Sequence, residues 1–200
     1  ISKLDLEGAR VVSLDLQDVA RTGSSSANKQ TAIMYMLARH ILAQDFFLHS
    51  SDVEKFPKQY HKYHMARIKE IMEEPKRIVF DEFHRTSRSP VIRDQILQDM
   101  REGRKWKTHV ALASQSLSDF DPLMVEFATS VFILDAGTSK TINQVCETFG
   151  LSETEKVALS TRVHGPSSSG ATFIAQFVTK KGLNTQLLTS TISPVELWAF

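Results

Sequence analysis

The stretch Arg77-Ile78-Val79-Phe80-Asp81-Glu82 decides the fold prediction, because a short apolar run stops abruptly at two adjacent carboxylates. Apolar residues on both faces of the run predict a central strand of a parallel sheet. Such a strand fixes the acids and exposes them at its end. In nucleotide hydrolysis, the aspartate of this pair holds Mg²⁺ through a water and the glutamate polarises the attacking water. The alternative is a strand that turns polar where it reaches solvent.

A second strand is predicted over residues 108–114, and it too ends in a polar residue, Gln115. The carboxyl ends of parallel strands lie on one edge of a sheet, where ligands bind. We therefore expect Gln115 near Asp81 and Glu82, where it would sense the γ-phosphate or orient water. The alternative is an ordinary loop or helix-cap amide.

Basic residues follow these acids in two groups. Arg101, Arg104 and Lys105 lie at the end of the helix predicted between the two strands. One of them could reach a phosphate, within one subunit or across an oligomer interface. The alternative is a solvated helix end, which cations favour because of the helix dipole. The second group, His84, Arg85 and Arg88, would line the same edge as the acids, with His84 as a hydrogen-bonding neighbour.

The other half of a nucleotide site is missing, because no G-x-x-x-x-G-K-[ST] segment (Walker A) occurs in the sequence. The chain also begins at Ile1 and has no signal-peptide pattern. We expect it to be a piece of a longer protein whose phosphate-binding loop lies upstream.

Composition excludes several classes of protein. A chain of 200 residues with 42% hydrophobic content can build one good core. The net charge of +1 gives no global attraction to nucleic acid or anionic membranes. The single cysteine, Cys146, rules out an internal disulfide framework and fits a reducing compartment. Neither His61, His64 nor Cys146 has metal-ligand spacing.

Strands that alternate with helices predict an α/β fold with a mainly parallel sheet. The predicted strands cover residues 10–16, 76–80, 108–114, 130–135, 171–179 and 184–191, the last two as an antiparallel pair. The predicted helices cover residues 28–48, 52–74 with a break near Pro57, 90–105, 122–127, 139–149 and 152–160. A short helix is predicted after Pro194. A loop is predicted over residues 22–26, and a loop or tight turn over residues 164–170.

The order of these elements resembles a known family. The shared features are the Asp81-Glu82 strand, the basic helix end at Arg101 to Lys105, the Ser114-Gln115 strand end, and the terminal Pro194-x-Glu196-Leu197-Trp198-Ala199-Phe200. The chain is similar over nearly its whole length to the C-terminal part of the traffic ATPases of type IV secretion and conjugation systems. It is most similar to members from Dot/Icm systems.

The resemblance implies a RecA-like P-loop ATPase domain of the HerA/FtsK group. In such a domain, residues 28–74 would be a helical segment and residues 76–135 would carry the Walker B and sensor strands. Residues 171–200 would form a hairpin and a terminal helix. It implies a hexamer at the cytoplasmic face of the bacterial inner membrane that uses ATP and Mg²⁺ to export protein or DNA. Other secretion ATPases and inner-membrane subunits would be its partners. Asp81 and Glu82 would be the Walker B acids, Gln115 the sensor, and Arg101, Arg104 and Lys105 the basic motif.

Two alternatives stay open. The chain could be a docking platform that binds another ATPase or an adaptor through the helices of residues 28–48 and 52–74. Asp81-Glu82-Phe83-His84 also matches the DExH box of helicases superficially, but their arginine-rich second domain is absent from this sequence. The near-neutral charge gives little support to nucleic-acid binding.

Overall fold

The chain contains both helices and strands and divides into two compact units, Ile1–Phe127 and Ala128–Phe200. The computed structural model describes residues 9–16, 24–135 and 137–191. The boundary between the units falls inside the predicted Walker B and sensor segment, directly after the helix that ends at Phe127. No helix in these described ranges is both long enough and apolar enough to cross a bilayer.

The first unit begins with helical segments. Helix α1 (Ser25–Ala43) starts where the Ser24 hydroxyl accepts a hydrogen bond from the Ala27 N–H at 3.1 Å. Ser25 and Ser26 thus belong to the helix, and the prediction of a loop through residue 26 was wrong. Three 3₁₀ segments follow, and then helix α2. Their bounds are Gln44–Phe47, Ser50–Lys55, Lys58–Tyr60 and, for α2, His61–Glu73. The predicted break near Pro57 and the end before Pro75 are confirmed.

A strand–helix–strand unit follows, as predicted. Strand β1 (Lys76–Phe80) and strand β2 (Thr108–Leu112) are parallel, with Phe80 opposite Leu112. Helix α3 (Pro90–Trp106) connects them. Its first residue is a proline, which is well tolerated there because the N–H of the first helical residue has no acceptor within the helix. Gly103 lets α3 approach β2, since a Cβ there would lie 2.4 Å from the Thr108 carbonyl oxygen. Helix α4 (Pro122–Phe127) ends the unit.

The core of the first unit lies on one face of this two-stranded sheet. Its buried members are Phe80, Phe83, Ile92, Ile96, Leu97 and Met124. Beside it, Arg39 of α1 donates two hydrogen bonds to Asp99 of α3, at 2.7 Å and 2.5 Å, and Asp99 is only 3% exposed. The opposite face of the sheet is open, because Val79 is 61% exposed. The prediction that β1 is covered on both faces was therefore wrong for the described residues.

The second unit is an antiparallel sheet with two helices. Its elements are β3 (Ser130–Ile133), α5 (Ser139–Phe149), α6 (Glu153–Thr161), β4 (His164–Ser167), β5 (Gly170–Thr179) and β6 (Gly182–Ser190). One edge of β5 pairs with β6 along its length, and the other pairs with β4 and then β3. The Gln176 side chain donates to the Phe149 carbonyl at 3.0 Å and so ties α5 to the sheet.

Several strand predictions need correction. Residues 10–16 form no strand in the described structure, and Val11 is 89% exposed. Among residues 9–16, 24–135 and 137–191, a mainly parallel sheet is not found: only β1 and β2 are parallel there, and β3 pairs antiparallel with β5. Residues 164–167 form β4, so the predicted loop or tight turn over residues 164–170 is confined to the turn at residues 168 and 169. The predicted hairpin is confirmed, and the predicted terminal helix lies outside the described residues.

Candidate active site

Asp81 and Glu82 lie at the carboxyl edge of the parallel pair. Two backbone hydrogen bonds continue the pairing beyond the strands: the Ala113 N–H donates to the Phe80 carbonyl at 3.0 Å, and the Phe83 N–H donates to the Ala113 carbonyl at 2.8 Å. The turn with the two acids is therefore anchored to the segment that leads into Gln115. The prediction that the two strand ends share one edge is confirmed.

The turn after β1 holds Glu82 in an unusual backbone conformation. Glu82 has φ 51° and ψ 43°, the left-handed region that costs a residue with a Cβ roughly 1 kcal/mol or more. The Glu82 N–H donates to Oδ1 of Asp81 at 2.9 Å, and the Arg85 N–H donates to the Glu82 carbonyl at 3.0 Å. The next residue, Phe83, is 0% exposed in the core. Strain of this kind persists only where the surroundings fix it, and it is common at functional sites.

The side chain of His84 faces Glu82. Nδ1 of His84 lies 3.3 Å from Oε2 of Glu82, which is close enough for an ion pair. The two atoms are not aligned for a hydrogen bond, and Nδ1 is a buried atom without a hydrogen-bond partner among the described residues. The rest of the ring is partly exposed, with 38% of the side chain accessible.

Tyr35 of α1 is a neighbour of this edge that sequence reasoning did not single out. Burial raises the pKa of its phenol, the charge of Arg85 opposes that shift, and the carboxylates of Asp81 and Glu82 add to it. These interactions place the phenol in the electrostatic environment of Arg85 and of both acids. The only sequence signal was a polar-tipped aromatic residue within the apolar run Met34-Tyr35-Met36-Leu37.

Gln115 lies in an exposed bend just after β2. The preceding residue, Ser114, donates its hydroxyl hydrogen to Oδ2 of Asp119 at 2.5 Å, and the Ser87 hydroxyl donates to Oδ1 of the same carboxylate at 3.2 Å. Asp119 thus joins the loop after β1 to the loop after β2. The Gln115 side chain is left exposed at the edge that carries the acids.

Arg101, Arg104 and Lys105 are not brought together with the acids. They lie in the last turns of α3, beside the start of β2, whereas Asp81 and Glu82 follow the end of β1. The length of β1 separates these edges by roughly 16 Å at about 3.3 Å per residue. The guanidinium carbon of Arg101 lies 5.6 Å from the centroid of the Phe127 ring, and Nζ of Lys105 lies 4.7 Å from the centroid of the Trp106 ring. The structure therefore does not support the prediction that one of these three residues reaches a phosphate held at the acid edge of its own subunit.

The carboxylate oxygens at the acid edge fit a magnesium ion whose other ligands would come from waters and from a bound substrate. Asp81 is exposed, and its Oδ1 accepts the hydrogen bond from the Glu82 N–H. Its Oδ2 is therefore left for a metal-bound water. Mg²⁺ in nucleotide sites is usually held by one or two carboxylates, waters and substrate phosphates. The described residues contain no group of three or more histidine, cysteine or acidic side chains that could hold a metal by themselves.

Comparisons with known proteins do not identify a family. No protein-family model matches the chain, and no curated protein was found to be similar to it.

Proposed function

We propose that this chain is the C-terminal part of the ATPase domain of a type IV secretion motor. In this proposal the fold is RecA-like, the ligands are ATP and Mg²⁺, and the full protein couples hydrolysis to the translocation of effector proteins or DNA. The sequence resemblance motivates the family, and the geometry of the acid edge supports the chemistry.

The observation that carries the proposal is the parallel strand–helix–strand unit with Asp81, Glu82 and Gln115 at one edge. Hydrogen bonds between the Phe80, Phe83 and Ala113 backbones fix the two strand ends to each other. Ligands of α/β sheets bind at the carboxyl ends of parallel strands, and acids held there can act on a bound phosphate.

Each residue at this edge has a role in the proposal. Asp81 holds a water of the Mg²⁺ shell, and Mg²⁺ when bound neutralises charge on the phosphates. Glu82 accepts a proton from the attacking water and orients it. Gln115 senses the γ-phosphate by donating a hydrogen bond to it, or orients the attacking water. The phosphate-binding loop would come from the sequence upstream of this chain.

The proposed assembly is a homo-hexamer at the cytoplasmic side of the bacterial inner membrane. Its partners would be other secretion ATPases, inner-membrane subunits and the exported protein. Since Arg101, Arg104 and Lys105 lie at the opposite edge from the acids, they would act on a nucleotide of the adjacent subunit. Hydrolysis in one subunit would then be coupled to movement at the subunit boundary.

Calorimetry with Mg·ATP tests the proposal on this chain and on a version extended upstream. We expect only the extended version to bind, because the phosphates need the amide cradle and lysine of the upstream loop. In the full-length protein, Glu82→Gln should stop hydrolysis and spare ATP binding. If neither version binds ATP, or if turnover survives Glu82→Gln, the motor proposal is wrong.

The second candidate function is a docking platform that hydrolyses nothing. Large apolar side chains exposed on α1 and α2 favour it, namely Ile33 at 67%, Leu37 at 48% and Tyr63 at 66% exposure. The full-length gene separates the two candidates, because an upstream Walker A sequence supports the motor and its absence supports the platform.

A further inference from the structure

The contact between His84 and Glu82 leaves a buried nitrogen of His84 without a hydrogen bond among the described residues. Nδ1 of His84 is buried, has no hydrogen-bond partner among the described residues, and lies 3.3 Å from Oε2 of Glu82. A buried polar atom without a partner destabilises the fold, so native structures seldom keep one without a reason. A small rotation of either side chain would align the pair into a hydrogen bond.

The backbone around this pair is held firmly, so the two side chains stay close. Residues 83–85 form a 3₁₀ turn, and the Thr86 and Ser87 N–H groups both donate to the Phe83 carbonyl, at 3.0 Å and 2.9 Å. The Ser87 Oγ also lies 3.2 Å from the His84 carbonyl oxygen. The left-handed backbone of Glu82 is the strained part of the same turn. The turn is held firmly although it contains a strained residue and an unpaired nitrogen, both beside the carboxylate of Glu82. Such retained strain points to a function that depends on the orientation of this carboxylate.

We propose that His84 is a positioning residue for Glu82. Its Nδ1–H donates to Oε2 of Glu82 and holds the carboxylate in one orientation, which leaves Oε1 to accept from the attacking water. The inference rests on the proposed ATPase function, since a fixed carboxylate matters only if it acts on a water. His84 itself touches neither water nor phosphate in this proposal.

The ring tautomer tests the contact without any nucleotide. In ¹⁵N NMR of the 200-residue chain, we expect the neutral His84 ring to carry its proton on Nδ1. Glu82→Ala should shift the ring toward the Nε2–H form, while Glu73→Ala, an acid near the opposite edge of the sheet, should not. A ring protonated on Nε2 in the unaltered chain, or one unaffected by Glu82→Ala, would overturn the proposal.

Kinetics of the full-length protein test the positioning role. The amide nitrogen of asparagine takes the place of Nδ1, and that of glutamine takes the place of Nε2. We expect His84→Asn to keep turnover near the original value, and His84→Gln and His84→Ala to lower kcat about tenfold or more with KM for ATP unchanged. Equal losses in all three variants, or a change confined to KM, would contradict positioning.

The two experiments separate this inference from the proposed function. An Nδ1–H ring that responds to Glu82→Ala, in a full-length protein that does not hydrolyse ATP, would establish the contact but overturn both the ATPase and the positioning role. Hydrolysis that stops with Glu82→Gln but is indifferent to His84 would keep the ATPase and overturn the positioning role alone.

Discussion

The backbone N–H of Phe83 donates to the carbonyl of Ala113 at 2.8 Å, beyond the last residues of both strands. This bond ties the turn that carries Asp81 and Glu82 to the loop that carries Gln115. Because the Phe83 ring is buried in the core, the turn is anchored by its side chain as well as by its backbone. The candidate site is thus part of the sheet rather than a loose loop beside it.

The left-handed conformation of Glu82 predicts an unusual order of stability among its variants. Alanine keeps a Cβ and hence the steric cost of φ 51°, whereas glycine does not. We expect Glu82→Gly to be more stable than Glu82→Ala by up to about 1 kcal/mol in urea unfolding. Lys107, at φ 50°, is a matched control and should give the same order. A more stable alanine variant at position 82 would show that the turn after β1 is not strained.

The buried ion pair of Arg39 and Asp99 predicts a large loss when one partner is removed. Asp99→Ala would leave the guanidinium without its carboxylate in a mostly buried place, and we expect a loss of about 3–5 kcal/mol in the free energy of unfolding. The control is Asp94→Ala, an exposed acid on the same helix, with an expected change within about 0.5 kcal/mol. Replacing both Arg39 and Asp99 by apolar residues should recover much of the lost stability. A mild effect of Asp99→Ala would contradict a stabilising role of this buried ion pair.

Asp121 predicts a pH dependence of stability. The hydrogen bond from the Leu123 N–H, and then the contact with Arg93, hold the pKa of its carboxyl below the usual value. A carboxyl of this kind stabilises the fold above its unfolded pKa of about 3.9, and that contribution is lost as pH falls through the lower folded pKa.

The unaltered chain should therefore exceed Asp121→Asn in stability at pH 6, and the gap should close below about pH 3.9. Chemical unfolding at a series of pH values measures it. In an Arg93→Ala background the gap should be smaller, because one source of the shift is gone. A gap that stays constant from pH 6 to pH 3 would contradict this account.

The position of Arg104 predicts a separation of binding from turnover in the full-length protein. Since it lies at the opposite edge from Asp81, we expect Arg104→Ala to leave the Kd for Mg·ATP unchanged and to lower kcat of the assembled protein about tenfold or more. Asp81→Asn is the comparison, because it should weaken the dependence of binding on Mg²⁺. Weaker ATP binding by a monomeric Arg104→Ala protein would place Arg104 at the nucleotide of its own subunit.

The sequence by itself determined the local elements with strong periodic signals. The helices around Met36, Ile96 and Val145, the acid-tipped strand and the terminal hairpin all follow from apolar spacing, proline positions and turn residues. The shared edge of Asp81 and Gln115 followed as well, because a helix between two strands makes the strands parallel.

Tertiary structure alone decided the pairing of the remaining strand segments and which side chains meet. The segment around Val12 has the pattern of a strand but forms no strand in the described structure, while His164 to Ser167 has little pattern yet pairs with β5. Backbone hydrogen bonding across a sheet depends on what lies alongside, which periodicity within one segment does not encode. For the same reason, the approach of His84 to Glu82, the phenol of Tyr35 and the distance of Arg104 from the acids emerged only once the chain was folded.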